Sequence, residues 1–366
     1  MVSKIIEVET DVAAQADAAD GGAADPGAES EWRRFVVDAD AHGERLDRWL
    51  AAHVPEVSRS YLQQLIAEGA VCLDGAVQSK SARRLRVGET LAIELRPTAQ
   101  AQAFVPQPMA LPIVFEDDHL LVIDKPAGWV VHPAAGHWSG TLLNGLLAHH
   151  AGAARLPRAG IVHRLDKDTS GLMVVAKTPR AFDALVAMIA AREVQRIYVS
   201  LAGGPWRHPD RVGVDQPIGR DPRQRLRMAV HPPDSGAAKP ARTDIRRLDG
   251  GSPGRAEWVL VGCKLHTGRT HQIRVHLAWL GHPLVGDALY GGRLALGMAR
   301  QALHAVRLGL RHPIGGDWLA FESPLPPDLA AAVAVAGLHY NPALLWAVRP
   351  DGEHDGPGHD RIIGNA

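Results

Sequence analysis

A short charged segment between two apolar runs carries the residues that could do chemistry. Arg164, Asp166 and Asp168 lie between the apolar runs 160–163 and 172–176. A carboxylate held at the end of a strand beside an arginine stays ionised at neutral pH, because nearby positive charge favours the anion. Such a group can act as a nucleophile or as a base. The segment is also typical of a solvated loop whose charges neutralise one another, and spacing alone does not choose between these interpretations.

Several common chemistries have no motif in the chain. The sequence contains no Walker phosphate loop, no dinucleotide fingerprint after a strand and no His-Glu-x-x-His helix. His266, His271 and His276 are the most suggestive metal-ligand trio. Steps of five residues, however, put successive side chains about 140° apart on a helix and on opposite faces of a strand. Three such ligands do not converge from one regular element, and we expect neither a metal nor a cofactor.

The elements that must position these side chains are predicted between residues 111 and 340. Apolar runs bounded by turn residues predict strands, and amphipathic segments between them predict helices. The strand runs are residues 113–115, 120–123, 161–163, 172–176, 197–201, 258–264 and 303–310, and the helical patterns are residues 141–150, 182–192 and 271–280. Helices placed among many strands, without regular alternation, indicate an α+β domain.

A smaller α+β unit is predicted ahead of this domain. Leu46 and Leu50 recur at helical spacing, Ser58 or Ser60 offers an N-cap to a second helix, and Gly69 is placed to end that helix. Alternating apolar residues then predict a small sheet. The unit is rich in basic side chains, namely Arg45, Arg48, Arg59, Lys80, Arg83, Arg84 and Arg86.

The formal net charge of zero conceals an uneven distribution. Residues 1–31 hold eight acids and one base, and residues 350–366 hold four acids and one base. Because the whole chain has 40 of each, the stretch between holds 38 bases and 28 acids, a formal charge of +10. A basic body with acidic ends favours a polyanionic partner, although a basic face is also typical of simple solvation.

Composition also predicts the domain organisation. The opening stretch is rich in Ala, Asp and Gly and has too few large apolar residues to form a core. The predicted parts are a disordered acidic tail at 1–31, the small α+β unit at 32–97, a proline-containing linker at 98–110, the large α+β domain at 111–340 and a polar C-terminal tail at 341–366.

Other features of the sequence favour a reducing aqueous compartment. Cys72 and Cys263 are too few for a disulfide framework or a cysteine-based zinc site. No stretch approaches the ~18 uninterrupted apolar residues of a membrane span. The acidic N-terminal residues do not fit a secretory signal. We therefore expect a cytoplasmic protein without membrane contact.

Four ordered blocks resemble the RluA-type pseudouridine synthase family. HRLDKDTSG at 163–171 resembles the HRLD-x-x-TSG signature of that family, and the other blocks follow in its order. They are QRIY at 195–198, LHTGRTHQIRVH at 265–276 and LHA at 303–305. In the smaller unit, RLD at 45–47, SRS at 58–60 and residues 69–75 resemble the RNA-binding domain named after ribosomal protein S-four.

The resemblance implies an enzyme that flips a uridine out of RNA and isomerises it to pseudouridine. It makes Asp166 the catalytic carboxylate and Arg274 the ion-pair partner of that carboxylate. Tyr198 would stack on the flipped uracil, Ile273 would form an apolar wall of the same pocket, and Arg164 would fill the space that the base leaves. Whether Asp166 attacks the substrate or removes the C2′ proton stays open.

The resemblance also implies a fold and a partner. The expected α+β fold has a mixed, largely antiparallel central sheet with flanking helices and loops. Arg59 and Arg48 of the smaller unit would contact RNA, and the expected partner of a monomeric enzyme is large-subunit ribosomal RNA or a pre-ribosomal particle. The alternatives are a non-catalytic RNA-binding assembly factor and a synthase of the same family acting on tRNA. A glycoside hydrolase would need Asp168 as its second carboxylate.

Overall fold

The computed structural model describes residues 31–96, 101–134, 136–224, 226–232, 235–250 and 257–350, together with the backbone of 361–363. The chain divides into two compact units, Met1–Ala103 and Phe104–Ala366. The division falls inside the linker predicted at 98–110. Residues 1–30 of the predicted acidic tail, and 351–360 and 364–366 of the predicted C-terminal tail, lie outside the described residues.

In the first unit, two helices share one apolar core with a four-stranded antiparallel sheet. Ser58 caps the second helix, because its side chain accepts the backbone N–H of Tyr61. Gly69, with a φ of +76°, follows the end of that helix. The elements are β1 (Glu31–Val36), α1 (Leu46–His53), α2 (Arg59–Ala67), β2 (Val71–Leu73), β3 (Ala76–Val77) and β4 (Thr90–Leu95), and the sheet order is β1-β4-β2-β3.

The second unit is built around a ten-stranded sheet. Its described strands are β5 (Ile113–Glu116), β6 (Leu120–Lys125), β7 (Ser170–Ala176), β8 (Gln195–Gly203), β9 (Arg211–Asp215), β10 (Ile218–Arg220), β11 (Met228–Val230), β12 (Ala238–Lys239), β13 (Arg242–Asp249), β14 (Trp258–Leu265), β15 (Leu303–Arg311), β16 (Trp318–Glu322) and β17 (Arg361–Ile363). Its described α-helices are α3 (Leu142–His149), α4 (Pro179–Ala190), α5 (Gln272–Trp279) and α6 (Pro327–Val335).

The large sheet has the order β17-β9-β13-β14-β8-β15-β7-β6-β5, with β16 paired to β15. Within the described strands of this sheet, parallel pairing is limited to β15 with β7 and β17 with β9. Strands β10, β11 and β12 form a separate small sheet. The predicted α+β fold with a mixed, largely antiparallel central sheet is therefore confirmed.

Both faces of the large sheet are covered, so its central strands are apolar on both sides. On β8, Tyr198 packs in the cluster that contains residues of α3 and α5, whereas Val199 packs in the cluster that contains residues of α6. Helix α4 covers β6 and β7 through Phe182 and Leu185. This two-sided burial holds the middle strands of the sheet rigidly in place, and the loops at their ends form the site described below.

Two local features differ from the sequence expectation. Residues 161–163 are predicted as a strand, but only Ile161 makes a β-bridge, to Val175. Beyond it the His163 Nε2 accepts the backbone N–H of Val174 at 3.1 Å. The side chain thus occupies the edge of β7 that a continued strand would use. At the other end of the unit, Leu345 and Trp346 are buried in the core, which extends the packed region past residue 340.

Within the described residues, no helix has the length and apolar character needed to cross a bilayer.

Candidate active site

The loop that carries Asp166 is held by backbone contacts on both sides. The Gly128 N–H and the Lys125 ammonium donate to the carbonyl oxygen of Lys167 at 2.9 and 3.0 Å. On the other side, the Arg300 Nη1 donates to the carbonyl oxygen of Asp168 at 2.9 Å. Because these bonds are made one and two residues after Asp166, they hold the backbone that carries its carboxylate before any substrate arrives.

Lys125 is completely buried at the end of β6. Its Nζ also donates to the carbonyl oxygens of Pro126 and Trp129, at 2.8 and 3.1 Å. Three carbonyl acceptors match the three N–H donors of an ammonium group. Burial nevertheless lowers the pKa of Lys125 to about 7. The side chain therefore joins two loops by hydrogen bonds and does not face the substrate.

Residues 169–171 attach the loop to β15. The Thr169 hydroxyl accepts from the Gln301 amide at 3.3 Å, and the Ser170 hydroxyl lies 3.0 Å from the His304 Nδ1. Gly171 has a φ of +115°, and a Cβ there would lie 2.3 Å from the carbonyl oxygen of Ala305. Only glycine fits this close approach between β7 and β15.

An open cleft of about 500 Å³ lies beside this loop, and the Asp166 side chain is 18% exposed within it. The Arg274 Nη1 donates to the Asp166 Oδ2 at 3.0 Å. Tyr198 and Ile273, both buried, line the same cleft, and Arg164 lines it with an exposed side chain. The structure therefore brings together all five side chains that the sequence assigns to catalysis and base binding.

Arg274 is itself held in place by contacts with Asp287 and Tyr290. Its Nε and Nη2 donate to the two carboxylate oxygens of Asp287 at 2.7 and 2.8 Å, and its guanidinium lies over the Tyr290 ring at 4.9 Å. Although burial alone would lower the pKa of Arg274, Asp287 and Asp166 raise it above its ordinary value. The guanidinium is therefore a fixed cation that presents one N–H to Asp166.

The imidazole of His271 also lies near the Asp166 carboxylate. Its Nδ1 lies 2.8 Å from the Tyr290 hydroxyl, whose oxygen accepts the backbone N–H of Met228. The Tyr290 hydrogen is thereby free to point to Nδ1, which leaves the Nε2–H on the side of Asp166, 3.9 Å from its Oδ2. Burial lowers the pKa of His271, which favours this neutral imidazole.

Tyr198 can offer a neutral aromatic face to a base. It lies on β8 and is 5% exposed, and burial raises the pKa of its hydroxyl to about 12. A protonated phenol does not repel the neighbouring Asp166 carboxylate. A carboxylate, a fixed guanidinium and a neutral aromatic ring in one cleft are the groups needed to hold a flat heterocycle beside a reactive carboxyl group.

Comparisons with known proteins match these features to one family. A model described as RNA pseudouridylate synthase matches residues 119–279, which include the loop of Asp166, Tyr198 and Arg274. "Ribosomal large subunit pseudouridine synthase D" of Neisseria meningitidis serogroup A is 46% identical over 316 residues, covering 83% of this chain and 82% of that protein. The protein of the same name from Pseudomonas aeruginosa is 47% identical, covering 81% and 93%.

The chain belongs to the RNA pseudouridylate synthase family. Among solved structures, "Human RNA Pseudouridylate Synthase Domain Containing 1" is 29% identical and has a TM-score of 0.46, with coverage of 62% of this chain and 90% of that one. The family assignment rests on the sequence relatives, which extend over both units. It makes the protein an enzyme, an RNA pseudouridine synthase.

The first unit of this pseudouridine synthase is organised around a buried carboxylate. Asp47, completely buried, accepts hydrogen bonds from Arg45 at 3.0 Å, Arg59 at 2.8 Å and Gln63 at 2.6 Å. The hydrogen bond from Arg45 and those from Gln63 and Arg59 hold the pKa of Asp47 well below its usual range. A model described as S4 domain matches residues 44–91, so the predicted resemblance is confirmed.

Arg59 and Arg48 have different settings in this S4 domain. Arg59 is tied to Asp47 yet keeps a half-exposed side chain, whereas Arg48 is 75% exposed and lies 3.5 Å from the Glu44 carboxylate. Both can therefore reach a polyanion. Their assignment as RNA contacts stays a prediction.

Asp287, His271 and Tyr290 are the residues of the synthase site to which the sequence assigns no role. The three histidines with a spacing of five have separate partners instead of one centre. His266 Nε2 lies 2.6 Å from Asp244, and His276 is buried between Thr243 and the carbonyl of Gln216. The proximity of His271 to Tyr290 explains its place in the site, and only the three-dimensional fold reveals that contact.

Proposed function

We propose that this pseudouridine synthase isomerises uridines of large-subunit ribosomal RNA and that Asp166 is its catalytic carboxylate. The observation that carries the catalytic assignment is the 3.0 Å ion pair between Asp166 and Arg274 inside a cleft that also contains Tyr198. The names of the relatives, which span more than four-fifths of the chain, support the substrate class.

The reaction breaks the C1′–N1 bond of a uridine and forms a C1′–C5 bond with the same uracil. The C5 hydrogen leaves as a proton, and N1 gains one, so no oxidant, reductant or energy source is consumed. Asp166 either adds to the substrate or removes the C2′ proton to give a glycal. In both routes the hydrogen bond from the Arg274 Nη1 holds the carboxylate in position when RNA excludes water from the cleft.

Base flipping explains the roles that we propose for the other residues. A base taken out of its stack costs a few kcal/mol, which the pocket returns through stacking and edge contacts. Tyr198 stacks on the flipped uracil, and Ile273 closes the apolar side of the pocket. Arg164, exposed at the cleft, fills the space that the base vacates in the RNA. Arg59 and Arg48 of the S4 domain hold the surrounding RNA through its phosphates.

We further infer a cytoplasmic enzyme that acts as a monomer on ribosomal RNA or a pre-ribosomal particle during ribosome biogenesis. Both described cysteines are free, Cys263 is buried, and burial raises the pKa of its thiol to about 12. These thiols suit a reducing compartment. Sedimentation of the purified protein together with fractionation of cells tests both statements.

A tritium-release assay tests the proposal directly. Unmodified transcripts of the large-subunit RNA and of a set of tRNAs, each labelled at uridine C5, are incubated with the purified enzyme. We expect release from the large-subunit RNA, followed by loss of the matching pseudouridines in cells that lack the gene. Release from tRNA alone would move the substrate to tRNA, and no release with tight binding would favour a non-catalytic assembly factor.

A further inference from the structure

Arg196 is a buried arginine that lines the cleft. Arg196 lies on β8 two residues before Tyr198, so both side chains enter the same face of the sheet. It is only 6% exposed, and its Nε is buried without a hydrogen-bond partner. Within the described residues, its guanidinium makes no ion pair. Burial lowers the pKa of this group, as expected for a cation removed from water without compensation.

The neighbouring groups do not supply the missing charge. Asp166, the carboxylate that lines the cleft, makes its ion pair with Arg274. His163 accepts the Val174 N–H at Nε2 and is neutral, because burial and the charge of Arg196 lower its pKa to about 3. Tyr198 is likewise uncharged. The positive charge of Arg196 is therefore uncompensated until something anionic enters.

The guanidinium of Arg196 lies against the wall of the cleft. A Cβ on Gly268 would lie 3.0 Å from the Arg196 Nη1, so the guanidinium lies directly against the glycine backbone. Ala190, the last residue of α4, and Arg192, two residues further on, also line the cleft. The arginines along the lining are Arg158, Arg164, Arg192, Arg196, Arg269 and Arg274. The lining is thus strongly positive.

We propose that Arg196, which lies against Gly268 in the wall of the cleft, binds a phosphodiester of the RNA strand beside the flipped uridine. A phosphodiester is the anionic group that every RNA nucleotide carries, and the guanidinium fork matches its two free oxygens. Two residues along a strand span about 6.6 Å, so Arg196 lies within reach of the backbone when Tyr198 contacts the base. This inference rests on the proposed function, since the anion belongs to the RNA substrate.

Salt-dependent RNA binding of the full-length enzyme tests the phosphate contact. The probe is the unmodified large-subunit transcript, and the variants are Arg196→Met, Arg196→Lys and the control Arg180→Met, an exposed arginine on α4 outside the cleft. We expect Arg196→Met to weaken binding about tenfold and to reduce the slope of log affinity against log salt by about 1. Arg196→Lys should keep the slope and weaken binding less, and Arg180→Met should change neither.

Thermal unfolding of the same free proteins provides the second measurement. Replacing an unpaired buried cation by an apolar side chain of similar length should raise the melting temperature in Arg196→Met. A lowered melting temperature would contradict the statement that the charge is uncompensated. An unchanged salt slope with a reduced single-turnover rate would assign Arg196 to the base and overturn the phosphate assignment. Arg196→Gln, which also removes the charge, supplies the same slope test if the methionine variant does not fold.

The two proposals fail in different ways. Tritium release by the wild-type enzyme is measured on the same transcript. Absence of product would refute the proposed function, whereas the slope comparison would still report on Arg196. Product formation by the wild type, together with equal slopes for the wild type and Arg196→Met, would refute the phosphate contact alone.

Discussion

The two carboxylate oxygens of Asp287 accept hydrogen bonds from the Arg274 Nε and Nη2, at 2.7 and 2.8 Å, while the Arg274 Nη1 donates to Asp166 at 3.0 Å. Asp287 is 2% exposed and does not line the cleft. It therefore acts through Arg274 and orients the cation that faces Asp166.

Asp287→Asn should slow the chemical step without weakening RNA binding. The amide keeps the shape of the carboxylate but loses one acceptor and its charge, so the guanidinium turns away from Asp166. A misplacement of this kind costs about 10²-fold in rate. The measurement is the single-turnover rate at saturating RNA, with Asp210→Asn, an exposed partner of Arg247, as the matched control. A wild-type rate in a correctly folded Asp287→Asn enzyme would show that the chemical step does not need the Asp287–Arg274 ion pair.

His276 should make the stability of the protein fall in mild acid. Burial lowers the pKa of His276 to about 4, from an ordinary value of 6.5. Between these values the unfolded chain binds a proton that the folded protein does not, so the free energy of unfolding decreases as the pH falls from 6.5 toward 4. His276 contributes about 3 kcal/mol to this decrease in the free energy of unfolding. Urea unfolding at a series of pH values, compared between wild type and His276→Gln, measures it.

The His276→Gln variant should be less stable near pH 7, because its hydrogen bonds to Thr243 and Gln216 are altered. Its loss of stability on acidification should nevertheless be smaller. If the free energies of unfolding of the wild type and of His276→Gln fall in parallel from pH 7 to pH 4, the folded state does not lower the pKa of the His276 imidazole.

The S4 domain should contribute an electrostatic share of RNA affinity. Replacing Arg48 and Arg59 together by Gln removes two exposed cations, and we expect the salt slope of binding to fall by about 2. The control is Arg33→Gln, in which the lost guanidinium is one that pairs with Glu31 and Glu56. If the double variant binds with the wild-type slope, these two arginines are not phosphate contacts.

Local patterns in the sequence were sufficient to predict much of the fold. The apolar runs at residues 197–201 and 258–264 predict the cores of β8 and β14, and the helical spacing in 271–280 predicts α5. These elements are regular because both faces of the sheet are buried. The pattern at 161–163 misleads, because a histidine side chain there takes the place of a backbone partner, which hydropathy does not encode.

The site was only partly predictable for a related reason. Asp166 and Arg274 are assigned through the family resemblance, since 108 residues separate them and no spacing rule joins them. Asp287 lies 13 residues after Arg274 in the chain, and the ion pair between them is apparent only in the folded structure. The missing charge near Arg196 is likewise a property of the folded cleft, because the sequence supplies equal numbers of acids and bases.

The most direct test of the account compares Asp166→Asn with Asp168→Asn, a carboxylate two residues away that does not line the cleft. Tritium release and RNA affinity are measured on the same labelled large-subunit transcript. We expect Asp166→Asn to bind RNA at least as tightly as wild type, because it removes a negative charge, and to lose activity by about 10³-fold or more. Asp168→Asn should stay active. Turnover near the wild-type rate in a folded Asp166→Asn enzyme would contradict the central claim.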